Sequence, residues 1–152
     1  MKKDIQEGNT MATKEEILEN LKWVEFKMDN GTLYIGQCNK SNILQGRGAL
    51  IYPNNVEEKY YVGYIDKNLP DTYGQIFNAQ WQTLYEGEFE NGKKKGFGKS
   101  FNYQTGNVYT GYFNNDLPNG QGVLMYKDNS RYEGGFLNGE INDKGYRIKN
   151  SK

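Results

Sequence analysis

Histidine is missing altogether from the 152 residues, and there is a single cysteine. Serine–histidine triads, cysteine–histidine pairs and histidine metal sites are therefore excluded. No disulfide can close within the chain, which fits a reducing compartment. No run approaches the ~18–20 consecutive apolar residues of a membrane-spanning helix, and the polar first ten residues lack the apolar core of a secretion signal. Nineteen basic residues balance nineteen acidic ones. No global field recruits nucleic acid or steers the chain toward an anionic surface. The length suits one domain, and the composition reads as cytoplasmic; because nearly all of the chain is spent on a repeat, little is left for a catalytic pocket, and a non-enzymatic protein without metal or cofactor is expected.

What the chain has instead is a repeat. Tyr-x-Gly recurs as Tyr34-Ile35-Gly36, Tyr61-Val62-Gly63, Tyr85-Glu86-Gly87, Tyr109-Thr110-Gly111 and Tyr132-Glu133-Gly134, at intervals of 27, 24, 24 and 23 residues. Such a period means one supersecondary unit copied along an axis. Four residues after each tyrosine stands Cys38, Ile65, Phe89, Phe113 or Phe136. Tyrosine, glycine and this residue alternate, so a strand puts all three on one face. Asn91-Gly92, Asn138-Gly139, Lys67-Asn68, Asn115-Asp116 and Lys40-Ser41-Asn42 follow, residues that accept the left-handed backbone of tight hairpins.

A second signature closes each unit: Gly46-Arg47-Gly48, Gly96-Phe97-Gly98 and Gly120-Gln121-Gly122, reduced to the latter glycine in Thr72-Tyr73-Gly74 and Asp143-Lys144-Gly145. Counting back from the next tyrosine aligns Leu50 and Tyr52 with Phe77 and Ala79, Phe101 and Tyr103, and Leu124 and Tyr126. Every period thus reads as one β-hairpin, with Phe26 and Met28 before the first marking an orphan strand. About eleven strands at ~4.8 Å make a sheet on the order of 50 Å long. Glycine inside a strand costs roughly 0.5–1 kcal/mol relative to alanine. The compensation is room for a ring to lie flat over a bare floor.

The run Tyr85-Glu86-Gly87-Glu88-Phe89-Glu90-Asn91-Gly92-Lys93-Lys94-Lys95-Gly96-Phe97-Gly98 resembles the MORN repeat (membrane occupation and recognition nexus), whose pattern is Tyr-x-Gly-x-Phe-x-x-Gly-x-x-x-Gly-x-Gly. Residues 109–122 match nearly as well. Residues 34–48 carry one extra turn residue, and 61–74 and 132–145 lose the first glycine of the pair. The resemblance implies an all-β, elongated, single-layer antiparallel hairpin array over residues 24–149. It also implies a scaffold for other proteins of a cytoskeletal assembly, with the ciliary axoneme first, or alternatively a membrane-associated module for anionic phospholipids.

Before the sheet, residues 1–12 are expected to form a tail. Thr13-Lys14-Glu15-Glu16 is a capping box, and Ile17, Leu18 and Leu21 share one face of a short helix over 13–23. Alone it is marginal, so it covers the sheet's first edge or anchors a partner through Ile17 and Leu21. At the far end, residues 145–149 form an edge strand able to pair with a partner or a second copy as a homodimer; 150–152 are a tail.

Few residues invite chemistry. Cys38 fills an apolar position and has no histidine to activate it. Glu86, Glu88 and Glu90 alternate ~6.6–7 Å apart on a strand, too far to chelate one ion together. Lys93, Lys94 and Lys95 form the one basic run, the lipid candidate, at ~1 kcal/mol per lysine near an anionic leaflet. Among the aromatics, Tyr85, Phe89, Phe101, Tyr109 and Phe113, with Leu124, are expected to be structural. Trp81, Tyr112 and Tyr126 are the partner-contact candidates, since an exposed apolar patch marks a binding surface.

Overall fold

The tyrosine–glycine alternation holds throughout the computed structural model, which describes residues 21–142 and 145–150. The strands are β1 (Lys22–Lys27), β2 (Leu33–Cys38), β3 (Leu44–Ile51), β4 (Tyr60–Asp66), β5 (Leu69–Phe77), β6 (Thr83–Glu90), β7 (Lys93–Asn102), β8 (Asn107–Asn114), β9 (Leu117–Met125), β10 (Arg131–Leu137), β11 (Glu140–Ile141) and β12 (Tyr146–Ile148). They form one antiparallel sheet in chain order, except that β11 and β12 both pair with β10. Twelve strands are thus found among the described residues where about eleven were expected. There is no helix among the described residues.

Four of the five hairpins turn on two consecutive left-handed residues, the type I′ geometry whose twist matches the strands. The pairs are Lys67 and Asn68 (φ 50° and 72°), Asn91 and Gly92 (51° and 85°), Asn115 and Asp116 (53° and 73°), and Asn138 and Gly139 (48° and 90°). The first hairpin uses a longer loop, Asn39 to Ile43, with Asn42 at φ 62°.

A bulge then recurs at the same place in every full copy. In the first hairpin Gly36 faces Gly48 but Cys38 faces Leu44, so one residue opposes three. The same shift follows Gly63, Gly87 and Gly111. Among the three opposing residues one is left-handed: Gly46 (φ 107°), Gly96 (89°) and Gly120 (104°), with Thr72 (68°) where the glycine is lost. The first glycine of Gly-x-Gly thus serves backbone geometry. The second serves space.

Space is needed for the tyrosine. A Cβ on Gly98 would lie 2.4 Å from the Tyr85 Oη, and one on Gly48, Gly74, Gly122 or Gly145 would meet Tyr34, Tyr61, Tyr109 or Tyr132 as closely. Each ring lies over a pair of facing glycines. Its hydroxyl donates to the carbonyl of the residue set out of register by the bulge: Gln37 (2.6 Å), Tyr64 (2.6 Å), Glu88 (2.8 Å), Tyr112 (2.8 Å) and, in the last copy, Gly135 (3.1 Å). A bulge bends its strand and disturbs the ladder; the hydroxyl supplies a donor to the carbonyl there, and in the last copy the Gly135 carbonyl also accepts from the Asn142 amide (3.0 Å).

These bends curl the sheet over its own inner face, which is why one layer can hold a core. All thirteen buried hydrophobic residues lie on that face. Rings meet edge to face in an unbroken chain: Tyr61–Phe89 (5.2 Å between centroids), Phe89–Tyr85 (5.1 Å), Tyr85–Phe113 (5.0 Å), Phe113–Tyr109 (5.2 Å), Tyr109–Phe136 (4.8 Å) and Phe136–Tyr132 (5.4 Å). Such pairs add about 0.5–1.5 kcal/mol each beyond area burial.

Two readings change. The helix expected over 13–23 lies outside the described residues up to position 20, and its last two positions, Lys22 and Trp23, belong to β1. Phe101 is not in the inner stripe: it faces Val108 on the outer side, half-buried, while Ser100 takes the inner place opposite Tyr109. The equivalent inner residues are Leu50, Ile76 and Leu124, because the connections after β5 and β7 are one residue longer than the one after β9. The edge strand expected over 145–149 is present as β12, Tyr146–Ile148, paired with β10.

Candidate functional site

Most of the inner face is taken up by its own rings, and the outer face carries exposed aromatic side chains that the core does not use. At the level of the bulge, register pairs Trp23 with Gln37, Arg47 with Tyr64, Tyr73 with Glu88, and Phe97 with Tyr112. Trp23, Tyr64, Tyr73, Phe97 and Tyr112 are all exposed, forming an aromatic row across eight strands. Phe97 and Tyr112 meet edge to face at 5.6 Å, and the Arg47 guanidinium lies 5.9 Å from the centre of the Tyr64 ring.

The row has fixed geometry, because its members sit at or opposite the bulge. Where the residue is not aromatic it caps the bulge: Gln37 Oε1 accepts from the Arg47 amide (2.8 Å) and Glu88 Oε2 from the Phe97 amide (2.9 Å). Beside the N-terminal end of the row is a hollow of about 860 Å³, walled by Leu21, Trp23, Arg47, Tyr64 and Asp71. Its shape suits an apolar or aromatic side chain with polar contacts at the rim.

The partner-contact candidates separate in space. Tyr112 lies in the row, and Leu21 lines the hollow at its start. Trp81 is exposed at a loop on the outer side, stacked on Tyr60 with centroids 4.0 Å apart. Its φ of 63° is the left-handed conformation that Gly31, Asn42 and Asn129 adopt in like loops, a position uncongenial to a bulky ring. Tyr126 is half-buried against the core and receives a 3.4 Å hydrogen bond from Arg147. Ile17 lies outside the described residues. Trp23, Tyr64, Tyr73 and Phe97 were missed by sequence reasoning; the signal for Tyr64, Tyr73 and Phe97 was their place next to a motif glycine, whereas Trp23 precedes the repeats and enters the row only through its register with Gln37.

The basic run does not converge. Lys94 lies on the inner face opposite Phe89, whereas Lys93 faces Glu90. Each has an acidic partner: Lys93 with Asp116 (3.9 Å), Lys94 with Glu58 (3.2 Å) and Lys95 with Glu90 (3.1 Å). The three glutamates are equally dispersed, with Glu86 bonded to Gln75 (3.2 Å), Glu88 capping the bulge and Glu90 on Lys95.

Inner tyrosines are chemically muted. Burial pushes the Tyr34 and Tyr109 hydroxyls up to about 12, and Tyr61 and Tyr85 higher still. Burial, reinforced by Glu58, takes Tyr52 to about 12. None of them is a general acid or base at neutral pH. Cys38 is buried in the core.

The family model for the MORN repeat matches residues 85–100 and 109–131, the third and fourth hairpins. No curated protein matches the chain.

Proposed function

We propose that this MORN-repeat protein is a non-enzymatic scaffold that binds other proteins along its outer aromatic row, within a cytoskeletal assembly. MORN repeats are interaction modules for protein or lipid. The observation that carries the choice of protein is the exposed row itself: five aromatic side chains held in register on a face the fold leaves open. Tyr, Trp and Phe anchor protein interfaces because each contributes a large apolar area at small entropic cost. The ciliary axoneme is the first setting to test, on family analogy, and a cytoplasmic location accompanies it.

The test is fractionation of the protein's own cells. The wild type is expected in the detergent-resistant cytoskeleton, and Tyr112→Ala combined with Phe97→Ala is expected to release it while circular dichroism stays unchanged. A wild type that remains soluble, or a folded double variant that remains bound, overturns the proposal.

Membrane association is the second reading, supported by the basic run at the start of β7. Three lysines that each have an acid partner and point to opposite faces attract an anionic leaflet weakly. Salt-sensitive sedimentation with phosphatidylserine vesicles, abolished by neutralising Lys93, Lys94 and Lys95, would restore it.

A further inference from the structure

The inner face is apolar along its length, with one break. The residues facing Cys38, Ile65, Phe113 and Phe136 across their hairpins are Leu44, Pro70, Pro118 and Ile141; the one facing Phe89 is Lys94. In the same strand Ser100 stands where the other copies have Leu50, Ile76 and Leu124. The middle hairpin therefore opens a polar notch in the trough.

Lys94 is mostly buried, its side chain 17% exposed, with the ammonium 5.3 Å from the Tyr85 ring centre. A buried cation is costly without a counter-charge. Its partner, Glu58, comes from the connection between β3 and β4, 36 residues away. That connection is largely self-contained. Asn55 Oδ1 accepts from the Glu57 and Glu58 amides (2.9 and 2.8 Å), Lys59 Nζ donates to the Pro53 carbonyl (3.0 Å), and Val56 at its tip is 90% exposed. It reaches the trough through the Glu58 carboxylate. Two hollows share Glu58 and Lys94 in their walls, one of about 390 Å³ with Ser100, Tyr109 and Leu124, the other of about 280 Å³ with Tyr61, Ile76 and Phe89.

We propose that Lys94 is a recognition site for an acidic side chain of an extended partner segment lying in the trough, and that Glu58 is the internal stand-in that fills it when no partner is bound. Charge complementarity selects the occupant. One ammonium beside a serine hydroxyl, between walls of Tyr61, Phe89 and Tyr109, takes a single carboxylate flanked by apolar groups. A polyanionic lipid head group is disfavoured by Glu57 and Asp116, which border the same hollows. The site lies on the face opposite the aromatic row, so each can fail without the other.

The experiment is an amide-resolved NMR titration of the full chain with sodium acetate, against sodium chloride at equal ionic strength and sodium phosphate. Glu58→Gln removes the stand-in from a half-exposed loop position, leaving the sheet intact. Lys94→Met restores the apolar character of the other copies. Acetate should perturb Lys94 and Ser100 saturably in Glu58→Gln, about tenfold more tightly than in wild type because the competing carboxylate is gone. The response should vanish in Glu58→Gln/Lys94→Met, and chloride should not reproduce it. No saturable response in Glu58→Gln, its persistence without Lys94, or tighter binding of phosphate than acetate overturns the proposal.

Discussion

Gly98→Ala adds one methyl group and should cost far more than its size. The new Cβ would lie 2.4 Å from Tyr85 Oη and 2.6 Å from Cε1 and Cζ. That ring is fully buried, with Phe89 and Phe113 edge-on at 5.1 and 5.0 Å, so it has nowhere to retreat within the trough. Losing a buried aromatic costs about 3–5 kcal/mol, and the stiffer unfolded chain returns about 0.4–1 kcal/mol. The expected net loss is about 2–4 kcal/mol, a shift of the urea midpoint by about 1–2 M, followed by tryptophan fluorescence and circular dichroism. A double-mutant cycle then isolates the ring. In a Tyr85→Ala background, Gly98→Ala should cost almost nothing. Gly87→Ala should stay costly there, because its Cβ meets the Gly98 Cα at 2.5 Å and the Phe97 carbonyl at 2.7 Å. A Gly98→Ala protein within ~0.5 kcal/mol of wild type, or one unaffected by removing Tyr85, refutes the reasoning.

Tyr85→Phe keeps the ring but strips the donor from the Glu88 carbonyl; a loss of about 1–2 kcal/mol with an unchanged urea slope is expected. Thr72→Gly should stabilise the second hairpin by up to about 1 kcal/mol, since a β-branched residue at φ 68° carries about 1–2 kcal/mol of strain and glycine's entropy returns roughly half of it. A lower melting temperature in that variant would show that Thr72 is not strained. Phe113→Ala should cost about 3–5 kcal/mol by leaving a cavity between Tyr85 and Tyr109; a loss of the size seen at exposed positions would mean the ring is not buried.

The repeat, the hairpins, the Asn-Gly turns and the rings over glycine were legible because each is a local pattern copied five times. The faces were less so. Phe101 was misplaced because counting back from the next tyrosine assumes equal connections, and the one after β7 carries an extra residue. Lys94 was read with its neighbours as one basic turn, yet the turn is only Asn91 and Gly92; counting back by twos from Gly98 would have put Lys94 on the inner face. The left-handed demand at the bulge was hidden because glycine supplies both room and a positive φ, and only the substitution at Thr72 separates them. Glu58 could not be linked to Lys94 from spacing, since the contact crosses the trough rather than a register pair.

The most direct test of the central claim, that buried rings over bare backbone hold the sheet together, is an alkaline titration of tyrosine. Ring-carbon resonances of labelled tyrosine report ionisation, and circular dichroism reports the sheet. Unfolded tyrosines ionise near 10, whereas Tyr34, Tyr52 and Tyr109 are held to about 12, and Tyr61 and Tyr85 beyond it. Above about pH 10 the unfolded chain therefore binds fewer protons than the folded one, so stability is intact below that point and falls as pH rises toward the folded values. Near pH 11 the loss is on the order of 1 kcal/mol per tyrosine, a sizeable share of a domain's whole stability when several are buried together. The account predicts that these five ionise only in the same cooperative step that abolishes the sheet signal. Their ionisation near pH 10 with the sheet intact would contradict it.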